Sequence, residues 1–229
     1  MDLWNSLSSL SERAKDVVSH VQTEEATKTA LVMPFLQALG YDVFNPHEVV
    51  PEFVADVGIK KGEKVDYAVC RDGQPIILFE CKPYGAALDT YSGQLYRYFS
   101  VTKARLAILT DGVTYRFYSD LVEPNKLDET PFMVFDLTTM KREVVTQMER
   151  ITKPAFDLDA ILASAEDLRY VNQIKQRFGE QLEEPDDDFV KVLVDPLYRG
   201  RFTQGAMDKF RTLTRSALRS FISASVDRR

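Results

Sequence analysis

The chain has 229 residues, of which 45% are hydrophobic and 28% charged, and its formal net charge is −6. This composition is that of an ordinary globular protein with one large domain, or a compact core with an appendage. No apolar run approaches the roughly 20 residues that span a bilayer, so we expect no membrane partner. Only two histidines are present, which argues against a multi-histidine zinc or iron centre and against a Ser-His-Asp hydrolase.

The cysteines and the first residues indicate a reducing compartment. Cys70 and Cys81 fall on two neighbouring predicted strands, with side chains on opposite faces, so we expect no disulfide. The opening stretch MDLWNSLSSLSERAKD carries an acid early and lacks the basic-then-apolar layout of a signal peptide. We therefore expect a cytoplasmic protein.

Two helices are predicted before the first strands. Apolar residues at helical spacing predict the first helix over 3–21. The second is predicted to begin after Thr23, a good N-cap that is followed by two acids in the first turn, and to end at Gly40. Pro34 lies inside this second helix and is expected to kink it.

The rest of the chain predicts a mixed α/β core followed by helices. The predicted elements are extended segments at 41–44 and 49–57, a hairpin at 65–82, a helix at 89–102, strands at 106–109, 115–118 and 132–135, and helices at 141–152, 158–183, 187–194 and 203–226. We assign residues 1–140 to the α/β core and residues 141–229 to a helical region that packs on it.

The hairpin VDYAVCRDGQPIILFECK carries charges where a buried sheet should be apolar. Its second strand is an apolar run that continues into Glu80-Cys81-Lys82, and strand alternation puts Glu80 and Lys82 on one face. Asp66 begins the preceding strand. Because a lone buried carboxylate is costly, convergence of these groups predicts a site for a hard cation and a water. Oxygen ligands favour Mg²⁺ or Mn²⁺.

The hairpin loop decides whether the two acids meet. A strict two-residue turn at Asp72-Gly73 puts Asp66 opposite Phe79, on the wrong face. An odd loop of three or five residues puts Asp66 opposite Leu78 or Glu80, on the shared face. We favour the odd loop.

These segments resemble the PD-(D/E)xK nuclease superfamily, and within it the N-terminal nuclease domain of type I restriction enzyme R subunits and their stand-alone relatives. The resemblance is carried by TEEATKTALVMPFLQALGYDV, KVDYAV, IILFECK, GQLYRY and LAILTDGVTYRFYSDL, over residues 23–121. It implies a restriction-endonuclease-like fold and a Mg²⁺- or Mn²⁺-dependent endodeoxyribonuclease.

By this resemblance Asp66 and Glu80 match the metal-binding acids, and Lys82 matches the catalytic lysine. The backbone carbonyl of Cys81 is implied as a further metal ligand. Val65 stands where the superfamily name has proline. We expect Lys82 to orient or deprotonate the attacking water, since a desolvated lysine beside a cation has a lowered pKa.

Two helices supply the other residues that the resemblance implies. Glu24 matches the acid of the first helix, for a second ion or a metal-bound water, with Glu25 as the alternative. Gln94 and Tyr98 match a Q-x-x-x-Y motif, and we expect them to hold Lys82 and the scissile phosphate. The alternative for this pair is ordinary helix–sheet packing with Tyr98 in the core.

The C-terminal tail is basic although the chain as a whole is acidic. Arg211, Arg215 and Arg219 form a stripe on one helical face, which we expect to contact DNA phosphates. The alternative is that the stripe pairs with the acids at 186–188.

Two functions of different class remain open. The first is a metal-dependent DNA nuclease, which the acid-acid-lysine set favours. The second is a non-catalytic nuclease-fold binding or accessory module of a restriction or defence system, favoured by a small acidic chain with no helicase or specificity domain. The expected partners are DNA, other restriction-system subunits, and a second copy of the chain.

Overall fold

The computed structural model describes residues 2–54, 64–90 and 92–226. Within these residues the strands form one mixed six-stranded sheet, in the order β1-β2-β3-β4-β5-β6. The strands are β1 Val49–Phe53, β2 Val65–Arg71, β3 Gln74–Cys81, β4 Leu106–Thr110, β5 Thr114–Tyr118 and β6 Met133–Asp136. Neighbouring strands are antiparallel except β3 and β4, which are parallel. A parallel pair needs a crossover, and a helix lies between β3 and β4 in the chain.

The helices account for most of the remaining chain. They are α1 Leu3–Val17, α2 Glu24–Thr27, α3 Met33–Ala38, α4 Ser92–Val101, α5 Arg142–Met148, α6 Leu158–Glu183, α7 Asp187–Val194 and α8 Gln204–Val226. A π-helical turn, Lys28–Val32, joins α2 to α3, and short 3₁₀ turns occur at Val18–His20, Leu88–Thr90, Glu149–Ile151 and Lys153–Ala155. None of the described helices is both long enough and apolar enough to cross a membrane.

The sheet is covered on both faces, which explains the continuous apolar run in β3. Phe79 belongs to a core with Leu7 of α1 and Phe35 of α3. Leu78, one residue earlier, belongs to a second core with Tyr98 of α4. Because successive side chains of a strand point to opposite faces, a strand between two apolar layers needs apolar residues at every position. The mixed α/β fold is therefore confirmed.

One predicted detail of the N-terminal part differs from the structure. The segment 41–44 forms no strand, and residues 43–44 lie in a turn, where the Asp42 side chain accepts a hydrogen bond from the Phe44 N–H at 3.0 Å. Pro34, which was predicted to kink the second helix, lies at the start of α3, directly after the π-helical turn, and the kink itself stays a prediction. The helix accommodates the proline through the π-helical turn, in which the Met33 N–H donates to the Lys28 carbonyl.

The chain divides into two compact units, Met1–Arg169 and Tyr170–Arg229. This boundary lies after the position 140 that the sequence analysis chose, because Val145, Ile161 and Ala165 are buried in the same core as the sheet. In the second unit, Val190, Val194 and Met207 form a small core of their own. The packing of residues 141–229 on the core as one helical region stays a prediction.

Candidate active site

A β-bulge in the hairpin places Asp66 across from Glu80. The loop is a two-residue turn, with positive φ at Asp72 (52°) and Gly73 (73°), so the predicted odd loop is wrong. The ladder then skips a residue: Val69 pairs with Ile77, whereas Cys70 pairs with Pro75.

The extra residue, Ile76, corrects the register that the even turn would have imposed. A bulge suits this position because Pro75 has no N–H to donate to the ladder. Tyr67 pairs with Phe79, so the preceding residue, Asp66, faces Glu80 on the same side of the sheet. The two acids therefore share a face, as expected, although the cause is a bulge and not the loop.

The two carboxylates are held by different partners. The Oδ2 atom of Asp66 accepts the Cys81 backbone N–H at 2.7 Å, and its Oδ1 atom lies 2.5 Å from Lys28 Nζ. The Oε1 atom of Glu80 lies 2.6 Å from Lys82 Nζ. The Oε2 atom of Glu80 is buried and has no hydrogen-bond partner within the described part of the chain.

Burial and mutual repulsion perturb both acids. Burial, together with the Asp66 charge, raises the pKa of Glu80 to about 7, although the Lys82 ammonium partly offsets both effects. Burial also raises the pKa of Asp66, against the opposing hydrogen bonds from Lys28 and the Cys81 amide. The site is thus a pair of carboxylates with raised pKa values, the arrangement expected of residues that bind a cation or move a proton.

Lys82 is a cation in this structure. Burial alone would lower its pKa, but the hydrogen bond to Glu80, aided by the charges of Glu80 and Glu24, raises it. The expectation of a lowered pKa concerned a lysine beside a bound cation, and it stays a prediction for that state. Lys82 is protonated at neutral pH and acts there as a hydrogen-bond donor.

Lys28 is a site residue that the sequence reasoning missed. Its Nζ lies 3.0 Å from Glu24 Oε1 and 2.8 Å from Glu25 Oε1, in addition to the contact with Asp66. Glu24, the first residue of α2, is the acid that lies close enough to raise the pKa of both Asp66 and Glu80. The available signal was the spacing Glu24-x-x-x-Lys28, because residues four apart share a helical face.

The backbone around the site is tied to α2 and to the β4–β5 turn. Thr23 caps α2 as predicted, accepting the Ala26 N–H through Oγ1 at 3.1 Å. After Lys82 the chain is held by the Tyr84 N–H, which donates to Thr27 Oγ1 at 3.0 Å, and by the Gly85 N–H, which donates to Asp111 Oδ2 at 3.1 Å. These bonds fix the loop that carries Lys82 against the helix that carries Lys28.

The structure places the predicted Q-x-x-x-Y pair in α4, next to β3. Tyr98 is fully buried in the core that contains Leu78, which is the packing role weighed as an alternative. Gln94 belongs to the same helix, but its side chain lies outside the described residues. Their roles toward Lys82 and the phosphate stay predictions.

The arginine stripe of α8 has partners inside its own unit. Arg211 pairs with Asp187 of α7 and, at 3.0 Å, with Asp208. Arg219 pairs with Glu183 at 2.8 Å, and Arg215 contacts the carbonyl of that residue. These contacts favour the intramolecular alternative, so the sequence-based prediction that the stripe binds DNA needs a direct measurement.

We expect the triple variant R211A/R215A/R219A to bind DNA with an affinity within about twofold of wild type, because Arg211 and Arg219 already pair with carboxylates and Arg215 contacts a backbone carbonyl. The measurement is DNA affinity across a salt series. A slope of log K against log [salt] that is smaller in magnitude by roughly 3 would instead show that three phosphate contacts had been lost, since each contact contributes roughly 0.9 to that slope.

The donor set fits a magnesium-type ion. No group of three or more His, Cys, Asp or Glu side chains is arranged to hold a metal in the described ranges. Mg²⁺ does not require such a group, since proteins bind it through one or two carboxylates, with waters and substrate phosphates completing its shell. Asp66, the unpaired Oε2 of Glu80, and the carbonyl of Cys81 at the end of β3 are hard oxygen donors of this kind.

The fold and these side chains define an α/β protein with a charged site at the end of a central strand. Residues 23–132 match the family model described as type I restriction enzyme R protein N terminus. This match confirms the resemblance seen in the sequence. The match runs from the cap of α2 through β5 and includes Glu24, Asp66, Glu80 and Lys82. Comparison with curated proteins and with solved structures gave no significant match.

Proposed function

We propose that this chain is a metal-dependent nuclease that hydrolyses DNA phosphodiester bonds, of the type found at the N-terminus of type I restriction R proteins. The observation that carries the proposal is the pairing of Asp66 with Glu80 beside Lys82, with one buried carboxylate oxygen of Glu80 lacking a partner. An oxygen desolvated without a hydrogen bond is costly, and a divalent cation would satisfy it.

Asp66, Glu80 and the Cys81 carbonyl would hold Mg²⁺ or Mn²⁺. Such an ion supplies positive charge against the negative charge that develops on phosphate, and it lowers the pKa of water. The chain's own contribution is positional. The Cys81 N–H fixes one Asp66 oxygen at 2.7 Å, so this carboxylate is oriented before any ion arrives.

Lys82 would act as a positioned ammonium group. Its Nζ holds Glu80 at 2.6 Å, and its raised pKa keeps the proton on the amine at neutral pH. In that state Lys82 donates hydrogen bonds to the attacking water or to a phosphate oxygen, where charge develops during the reaction. Orientation, and not proton abstraction, is the role that this charge state supports.

A second candidate is a non-catalytic binding module of a restriction system. It is favoured by one observation: both acids already carry a cation of the chain itself, Lys28 on Asp66 and Lys82 on Glu80. An ion pair on each carboxylate could leave the fold stable without any metal.

Cleavage assays separate the two candidates. Wild-type protein and Asp66→Asn are incubated with supercoiled plasmid and with single-stranded DNA, in Mg²⁺, in Mn²⁺, and in a chelator. Cleavage that requires the ion and Asp66 supports the nuclease. Absence of cleavage on both substrates, together with unchanged melting curves in millimolar Mn²⁺, supports the binding module.

Ion affinity should rise with pH because Glu80 must lose its proton to bind a cation. With a pKa of about 7, roughly a tenth of Glu80 is ionised at pH 6 and roughly nine-tenths at pH 8. We expect Mn²⁺ to bind on the order of tenfold more tightly at pH 8 than at pH 6. Calorimetry at pH 6, 7 and 8 measures this. An affinity independent of pH would place the ion away from Glu80.

A further inference from the structure

Lys28 occupies the space between two of the site's carboxylates. Its Nζ is 2.5 Å from Asp66 Oδ1 and 3.0 Å from Glu24 Oε1, and its side chain is only 11% exposed. Both contacts are direct ammonium–carboxylate ion pairs. An ammonium group at this place makes the contacts that a cation bridging Glu24 and Asp66 would make.

The position of this ammonium group is fixed by its surroundings. Thr27 and Leu31, on either side of Lys28 in the sequence, are fully buried. Thr27 also accepts the Tyr84 N–H, so the helix turn that carries Lys28 is anchored to the loop after Lys82. Lys28 therefore has little room to withdraw from Asp66 without disturbing both elements.

The charges around the site also argue against a second metal ion beside Lys28. Four carboxylates, those of Glu24, Glu25, Asp66 and Glu80, face two ammonium groups, those of Lys28 and Lys82. A second divalent ion near Glu24 would share its ligands with the Lys28 ammonium, and the two like charges would repel at contact distance. Among the described carboxylate oxygens of Asp66 and Glu80, Oε2 of Glu80 is the one without a hydrogen-bond partner. This oxygen is on Glu80 and not on Asp66, the acid that Lys28 contacts.

We propose that the Lys28 ammonium takes the place of a second metal ion between Glu24 and Asp66, so that the site binds one divalent cation, on Asp66 and Glu80. This inference rests on the proposed function, because it assumes that the first ion binds. Glu24 then serves to hold Lys28 and is not a metal ligand. The sequence-based expectation that Glu24 serves a second ion applies only when the Lys28 charge is removed.

The test counts bound Mn²⁺ by electron paramagnetic resonance and by calorimetry. Lys28→Met removes the charge and keeps the length of the side chain, whereas Lys28→Arg keeps the charge. Lys126→Met is the matched control, because Lys126 is an exposed lysine that pairs with Glu123 at 3.0 Å. We expect one Mn²⁺ per chain for wild type, Lys28→Arg and Lys126→Met, and two for Lys28→Met, with the spin–spin broadening of neighbouring ions. Adding Glu24→Gln to Lys28→Met should return the count to one.

Two Mn²⁺ ions in wild type, or a single ion in Lys28→Met, would overturn the inference while leaving the proposed nuclease intact. No Mn²⁺ bound to wild type would overturn the proposed function and this inference with it. Circular dichroism checks the fold of each variant. Should Lys28→Met fail to fold, Lys28→Gln carries the same expectation, since its amide can donate to Asp66 without a charge.

Discussion

Lys82→Ala is expected to lower DNA cleavage about a thousandfold while leaving Mn²⁺ affinity no weaker than in wild type. Lys82 contacts Glu80 at 2.6 Å but cannot bind a cation, so its loss removes a donor to the reacting groups and spares the carboxylates. A donor aimed at developing charge contributes about 10²–10³ in rate, and a group that handles protons contributes about 10²–10⁴.

Glu80→Gln provides the contrast that gives this result its meaning. It is expected to lose cleavage and Mn²⁺ binding together, since Glu80 is an ion ligand in the proposal. Lys126→Ala, at an exposed lysine with one carboxylate partner, should match wild type in both assays. Cleavage by Lys82→Ala at more than a tenth of the wild-type rate would remove Lys82 from the mechanism.

Gly112→Ala is expected to destabilise the first unit by about 2–5 kcal/mol, from strain at positive φ and from overpacking. Gly112 has φ +84°, and a Cβ there would lie 2.8 Å from side-chain atoms of both Leu31 and Thr27. Both neighbours are fully buried, so neither has room to move aside. To relieve this overlap, the turn at residue 112 must move away from the helix segment that carries Lys28.

Gly73→Ala isolates the backbone part of that effect. Gly73 has φ +73° and no atom within 4 Å of the position of a Cβ, so its replacement should cost only about 1–2 kcal/mol. The measurement is urea denaturation followed by fluorescence of Trp4, the single tryptophan, which packs on the core of the first unit. Equal losses in the two variants would show that the contact with α2 does not constrain residue 112.

The identity of the elements was readable from local pattern because local physics decides it. The apolar run 76–79 indicated a strand covered on both faces, and cores on both sides of β3 confirm this. The helices at 158–183 and 187–194 begin and end where the helical pattern predicted. Thr23 caps α2 because a hydroxyl at that place satisfies an N–H that the helix leaves unpaired.

The register of the hairpin, in contrast, was not readable from local pattern, because it depends on one bulged residue whose position the hydrophobic pattern does not reveal. An even turn and an odd loop are both compatible with Asp72-Gly73, and the sequence analysis chose the odd loop. The chain uses the even turn and inserts Ile76 as a bulge. Local signals predicted a hairpin with acids near its open end, and only the ladder between the strands decided which face the acids share.

The charge state of the site was likewise a tertiary result. Sequence alone determined that two acids and a lysine stand at the end of a central strand pair, because alternation along a strand is a local property. It could not show that Lys28, 38 positions before Asp66, closes onto that acid, nor that Glu183 and Asp187 cover the arginine stripe. Such pairings depend on which surfaces meet when helices pack, and a pattern within one helix carries no information about the charge on its neighbour.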